Sequence, residues 1–211
     1  MKIFDITLPL SNQTLVWDGD KGITIEQIAF IKDGSDFNIS RVEFGVHAGT
    51  HIDAPYHLDD QGYSVDKVPL DKLCGKIQVL QINDSIDLIT KEILLGSGFI
   101  QGTERLLLKT KNSRKWINSS SQFDHNYAAI DSTAATFLAD AGIKFVGIDY
   151  LSISPYNDLK VPHQILLKAG IVILENAYLV NVEPGEYTLF CLPLNLVGTD
   201  GSPVRAILTL D

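Results

Sequence analysis

The alternation of apolar and polar positions along the chain predicts a sheet-rich protein. Short runs of aliphatic and β-branched residues, bounded by Gly, Asp, Asn or Pro, predict strands at 3–8, 23–31, 39–46, 76–82, 105–109, 145–149, 171–175, 187–192 and 204–210. In the third of these, Val42, Phe44 and Val46 share one face while Arg41, Glu43 and His47 share the other, the period of two that extended backbone imposes. Helix signals are fewer. Asp131 and Ser132 open, and Gly142 closes, an alanine-rich run. Residues 88–95 and 162–169, the latter stopped by Gly170, predict two shorter helices. Strands outnumber helices and their order is mixed, so the expectation is an α/β or α+β domain dominated by its sheet. No repeat, low-complexity tract or Pro/Ser-rich linker divides the chain, and residues 1–211 read as a single domain.

Composition narrows the classes. With 211 residues, 45% hydrophobic and 20% charged, the chain has the makings of a folded core rather than of disorder. Lys and Arg total 17 against 26 Asp and Glu, a net charge of −9, so the basic stripe that nucleic acid or an anionic membrane requires is not expected. Met1-Lys2-Ile3-Phe4-Asp5 reads directly into a strand rather than into a signal peptide, and no apolar run approaches the roughly 20 residues of a membrane span. Cys74 and Cys191 are far apart and lack a CxxC partner, which reads as two free thiols in a reducing compartment. The expected location is the cytoplasm.

One stretch changes the picture. Three of the five histidines fall in the 11 residues His47-Ala48-Gly49-Thr50-His51-Ile52-Asp53-Ala54-Pro55-Tyr56-His57, together with an aspartate. Even scatter would place about a quarter of a histidine in such a window. Imidazole and carboxylate are the usual ligands of a catalytic divalent ion, whereas a closed structural zinc site would draw on cysteines. In a straight strand His47 and His51 would stand about 13 Å apart, too far to share one ion. The chain is therefore expected to bend at residues 48–50, where Gly49 supplies a permissive backbone. His51 and Asp53 can project together from extended chain, and Pro55 is expected to stop regular structure and turn His57 back toward the cluster.

Two further residues are candidates. His163 follows Pro162 before the short helix, and Glu175 ends the apolar run Ile171-Val172-Ile173-Leu174, where a buried carboxylate is costly without a cation. Each also reads, alone, as a capping or surface group. His125, in Asp124-His125-Asn126-Tyr127 after Ser119-Ser120-Ser121, reads as a solvated loop histidine, and the four basic residues between Lys109 and Lys115 as a solvated loop.

The pattern His-x-Gly-Thr-His-x-Asp-x-Pro-x-His resembles the signature of the cyclase family of metal-dependent hydrolases, which includes bacterial kynurenine formamidases (arylformamidases) and isatin hydrolases. Val16-Trp17-Asp18-Gly19-Asp20, Gly147-Ile148-Asp149-Tyr150-Leu151-Ser152 and Asp200-Gly201-Ser202-Pro203-Val204-Arg205-Ala206 resemble other segments of that family, so the likeness spans residues 3–210. It implies a swivelling β/β/α domain assembled as a homodimer or homotetramer. It places His47, His51 and Asp53 as ligands of a first metal, with Asp53 bridging to a second that His163 and Glu175 complete. It makes His57 the general acid/base and Trp17 the aromatic wall of a substrate pocket; alone, Trp17 also reads as a core tryptophan. Asp18 departs from the pattern, because formamidases often carry proline there. The implied activity is hydrolysis of an aryl formamide of the N-formylkynurenine type, with two zinc ions per subunit or manganese in their place. Opening of a lactam such as isatin, and metal binding without turnover, are the competing readings. His163 and Glu175 together favour the two-ion version, and a proton donor such as His57 favours turnover over mere binding.

Overall fold

The computed structural model describes residues 1–117 and 122–210, so the serines at 119–121 lie outside the described residues. In chain order the elements are β1 (Lys2–Asp5), β2 (Thr24–Ala29), β3 (Ile39–Glu43), β4 (His51–Asp53), α1 (Leu70–Leu73), β5 (Cys74–Gln81), β6 (Leu88–Ile89), α2 (Lys91–Gly96), β7 (Arg105–Lys109), α3 (Ser113–Ile117), β8 (Ala129–Ile130), α4 (Ser132–Asp140), β9 (Phe145–Ile148), α5 (Lys160–Lys168), β10 (Val172–Glu175), β11 (Gly185–Pro193) and β12 (Gly201–Leu210).

The main sheet runs β1-β12-β11-β5-β7-β9-β10-β4, and β4 pairs again with β12. Seven strands, β12 through β4, thus close into a barrel-like ring. Closure rests on the length of β12: Gly201, Ser202 and Pro203 pair with β4, while its later residues pair with β11 and β1. Neighbours among β5, β7, β9 and β10 are parallel, and β11, β12 and β4 add antiparallel pairs.

Alternation along the parallel strands sorts the core into two layers. Leu107, Phe145, Val172 and Leu174 face the inside of the ring, where they meet Ile52, Leu189 and Leu208. Leu106, Leu108, Val146, Ile148 and Ile173 face outward onto Leu94 of α2, Leu138 of α4 and Leu166 of α5. The result is the expected sheet-rich α/β architecture, two strand layers and a layer of helices.

Three expectations shift. Residues 88–95 are not one helix: Leu88 and Ile89 form a parallel pair with β8, and α2 starts only after Thr90, whose hydroxyl accepts the Ile93 N–H at 3.3 Å. The strand expected at 39–46 stops at Glu43, and β2 and β3 form a separate two-stranded hairpin on which Val42 is exposed. Alternation there reports pairing and not burial. His163 lies inside α5, not before it, because Pro162 occupies the first helical turn, where a missing N–H breaks no bond.

Candidate metal centre

Strand β4 presents His51 and Asp53 on one face and Ile52, fully buried, on the other. Its neighbours complete the placement. Glu175 of β10 stands directly opposite His51, and Gly201 of β12 stands opposite Asp53. The bend expected before β4 is present, with Gly49 at φ +64°, left-handed backbone that disfavours a side chain. Thr50 pins it from one side: its hydroxyl accepts the Leu8 N–H at 2.8 Å and donates to the Asn176 carbonyl at 2.7 Å. The Asn176 amide donates to the Gly49 carbonyl at 3.0 Å from the other. His47 then folds back over β12, and a Cβ at Gly201 would lie 2.9 Å from its ring. Residues Pro55–His57 make a short 3₁₀ turn, which brings the His57 ring centroid to 4.3 Å from that of His47.

The nitrogens that face inward are selected by the partners of the nitrogens that do not. His51 Nδ1 is 2.9 Å from the Gly49 carbonyl, and a carbonyl only accepts, so Nδ1 carries the proton. His51 Nε2 therefore offers a lone pair, 3.5 Å from Asp53 Oδ1 and 3.4 Å from Glu175 Oε2. His163 Nδ1 likewise donates to the Leu159 carbonyl at 2.8 Å, with Ser154 Oγ at 2.6 Å, and its Nε2 faces Glu175 Oε1 at 3.0 Å and Asp53 Oδ2 at 3.7 Å. His47 Nδ1 lies 2.9 Å from Asp53 Oδ1. At His51 a lone pair thus points at carboxylate oxygens, whereas His47 Nδ1 and His163 Nε2 meet theirs as hydrogen bonds only while protonated. Two of these buried atoms, His51 Nε2 and Asp53 Oδ2, have no hydrogen-bond partner. Acceptors converging on acceptors in a buried place repel unless a cation sits among them. One ligand atom each from His51, Asp53 and Glu175, and likewise from His47, Asp53 and His57, lie within 4.8 Å of one another, an imidazole and carboxylate set that fits a divalent metal ion. Asp53 and Glu175 each turn one oxygen toward His51 and the other toward His163.

The titration behaviour has the same origin. Burial opposes a charge on His47, yet hydrogen bonds to Asp200 and Asp53 raise it to about 10. Burial also opposes ionisation of Asp53, but the hydrogen bond from His47 and the neighbouring imidazoles hold it below the carboxylate range. Glu175 is lowered against burial and the Asp53 charge, mainly by His163 and His51, and His163 is raised against burial by Glu175. A metal ion would take the place of a proton at His47. Binding of a divalent metal ion at pH 7 is therefore expected to release protons, read as a buffer-dependent binding enthalpy in titration calorimetry. A His47 raised above its ordinary 6.5 stabilises the metal-free fold fully below that pH and loses this as pH climbs through about 10. The urea midpoint of metal-free protein should fall over that window, and a flat midpoint would contradict the assignment.

Above the cluster lies a cavity of about 570 Å³, floored by His47, His57, His163 and Glu175 and walled by Trp17 and Leu151. That volume suits a small organic molecule. Trp17 stacks at 5.9 Å on Tyr156 and meets the edge of Phe123 at 4.9 Å. His125 is exposed as expected, but it also packs edge-on against Tyr156 at 4.3 Å, with Asp18 3.8 Å from its Nε2. The basic run at 109–115 is not a free solvated loop but leads from the end of β7 into α3. Lys109 donates to the Val182 carbonyl at 2.7 Å, Lys115 pairs with Asp124 at 2.5 Å, and Lys111 and Arg114 pair with Asp87 and Asp84.

The structure thus brings His47, His51, Asp53, His57, His163 and Glu175 to one place, with Trp17 on the cavity wall. Sequence reasoning misses Thr50, Asn176, Ser154 and the role of Asp200, whose Oδ2 is 2.7 Å from His47 Nε2. Only Asn176, next to Glu175, carries a signal: asparagine is among the few residues that tolerate its φ of +57°.

Fold and site together define a protein that can hold a divalent cation at the floor of a small-molecule cavity. The chain belongs to the family described as putative cyclase, whose model matches residues 4–155. It is 36% identical over 206 residues to a kynurenine formamidase of Bacillus cereus, covering 97% of this chain and 95% of that protein. It is 36% identical over 212 residues to a kynurenine formamidase of Salinibacter ruber, covering 99% and 97%. A solved structure described as a predicted metal-dependent hydrolase from Bacillus stearothermophilus superposes with a TM-score of 0.83 at 32% identity, over 98% of this chain and 97% of the other. Isatin hydrolase A from Ralstonia solanacearum shares the fold, with a TM-score of 0.85 at 20% identity over 100% and 92%. No helix among the described residues is long and apolar enough to cross a membrane.

Proposed function

We propose that this protein is a metal-dependent amidohydrolase that cleaves an aryl formamide of the N-formylkynurenine type into the arylamine and formate. The observation that carries this reading is the pair of orphaned, buried atoms His51 Nε2 and Asp53 Oδ2 beneath an aromatic-walled cavity. The formamidases that resemble the chain over almost its whole length support the choice of substrate. His47, His51 and Asp53 hold one divalent ion and Asp53, His163 and Glu175 a second; zinc is the preferred ion, with manganese the alternative. Such ions polarise a carbonyl and lower the pKa of water to about 7.

The remaining work falls to the chain. Trp17 provides a flat apolar surface for the aryl ring. His57 stands outside the donor set proposed for the ions, with its Nδ1 turned to Asp200 at 3.1 Å, so its other nitrogen is free to serve the cavity. An arylamine leaves poorly as its anion, so His57 Nε2 takes a proton from the attacking water and delivers it to that nitrogen as the C–N bond breaks. We further propose that the protein assembles as a homodimer or homotetramer.

The test is a hydrolysis screen of N-formylkynurenine, isatin and simple aryl lactones with zinc- and with manganese-reconstituted protein. Formate release from N-formylkynurenine that chelation abolishes and metal restores is the expected result. Turnover of isatin alone would replace the formamide by the lactam, and no turnover of any would overturn the hydrolase reading.

A further inference from the structure

Asp200 is not one of the carboxylates that face the proposed ions, yet it touches both of the partly exposed histidines. Its Oδ2 lies 2.7 Å from His47 Nε2 and 3.1 Å from His57 Nδ1. The residue sits in the turn that leads from β11 into β12, and that turn is held on three sides. The Ala54 N–H donates to the Asp200 carbonyl at 2.9 Å, directly after Asp53. The Val65 N–H donates to the Thr199 carbonyl at 2.9 Å. The Gly198 N–H donates to Asp66 Oδ1 at 3.1 Å, a carboxylate that Ser64 also engages at 2.5 Å. Asp66 in this way ties the 3₁₀ turn at Val65–Lys67 to the approach of Asp200. These bonds fix the backbone from which the Asp200 carboxylate projects.

The consequence is electronic as well as spatial. A carboxylate only accepts, so both nitrogens that face Oδ2 must carry protons. In His47, once a metal displaces the proton shared with Asp53, this leaves Nδ1, the nitrogen beside Asp53, as the ligand atom. In His57 it leaves Nε2 as the nitrogen open to the cavity. Resting on the proposed function, we infer that Asp200 is the positioning residue of this site, a single carboxylate oxygen that sets the tautomers of a metal-ligating and an acid/base histidine together. Through one atom the turn before β12 couples the readiness of the proton donor to the orientation of a ligand. Outer partners of this kind typically change metal affinity or activity by about 10–100-fold when removed.

The experiment uses the zinc-loaded full-length protein, labelled with ¹⁵N at histidine. Long-range ¹H–¹⁵N spectra, with the His57 and His47 signals assigned by single substitution, are expected to show the His57 proton on Nδ1 and the His47 proton on Nε2. In Asp200→Asn the His57 pattern should move to the Nε2–H tautomer or a mixture. Zinc affinity should fall by about 10–100-fold, with kcat reduced by a similar factor and KM changed little. A wild-type spectrum with the His57 proton on Nε2 would overturn the inference, even if Asp200→Asn could not be purified. So would an Asp200→Asn protein with unchanged tautomers, zinc affinity and kcat. The spectra and zinc titration need no substrate, so they test Asp200 even if the formamide proves to be the wrong substrate.

Discussion

Asp53→Ala protein, refolded or purified with excess zinc, is expected to retain almost none of the wild-type metal after dialysis and to lose formamide hydrolysis with it. Asp53 is wholly buried, and its two oxygens look toward different imidazoles, Oδ1 toward His47 and His51 and Oδ2 toward His163. Removing it takes a donor from both halves of the cluster at once, whereas loss of His47 or His163 would strip only one. Removing a group that only hydrogen-bonds a ligand costs about 10–100-fold in affinity, and removing the proposed shared ligand should exceed that range. Elemental analysis of folded protein, with far-UV circular dichroism matching wild type, provides the check. Full occupancy in this variant would remove the shared role of Asp53. Asp53→Asn sharpens the comparison, because it keeps the shape of the side chain while discarding the charge that balances the cation.

The second large effect is at His57. His57→Ala should keep its metal to within about a factor of two while kcat on an aryl formamide drops by about 10²–10⁴, the usual yield of general acid–base catalysis. The separation follows from geometry. His57 shares Asp200 with His47 and borders the cavity, but the orphaned buried atoms lie on His51 and Asp53. Its proton matters most when the departing group is a poor one. The deficit should therefore shrink on an aryl formate ester, whose phenolate leaves without help. An equal deficit on ester and amide would assign His57 to binding, and a wild-type rate on the amide would remove it from the reaction.

These two variants also show which parts of the site are local. Residues 47–57 contain His47, His51, Asp53 and His57, and nothing outside the segment is needed to see that a strand places His51 and Asp53 on one face. The bend at Gly49 follows from ligand reach alone, and the backbone there does adopt φ +64°. The cost of a carboxylate at the end of an apolar run points to Glu175, but its place opposite His51 comes from the pairing of β10 with β4. His163 carries a weaker signal still. Local pattern puts it ahead of its helix, and only the start of α5 at Lys160 turns its ring toward Glu175.

The hydrophobic pattern by itself determined that this chain builds a sheet-rich α/β protein, and the histidine segment that it carries chemistry suited to a divalent ion. Both are short-range properties, set by side-chain alternation and by ligand types a few residues apart. Tertiary structure alone decided that β12 closes the ring, that Gly201 leaves room for the His47 ring, and that Asp200, 153 residues from His47, meets it at 2.7 Å. Contacts across such separations depend on which strands pair throughout the sheet. That choice is made by burial summed over the two core layers, and no single residue near either end of the contact records it.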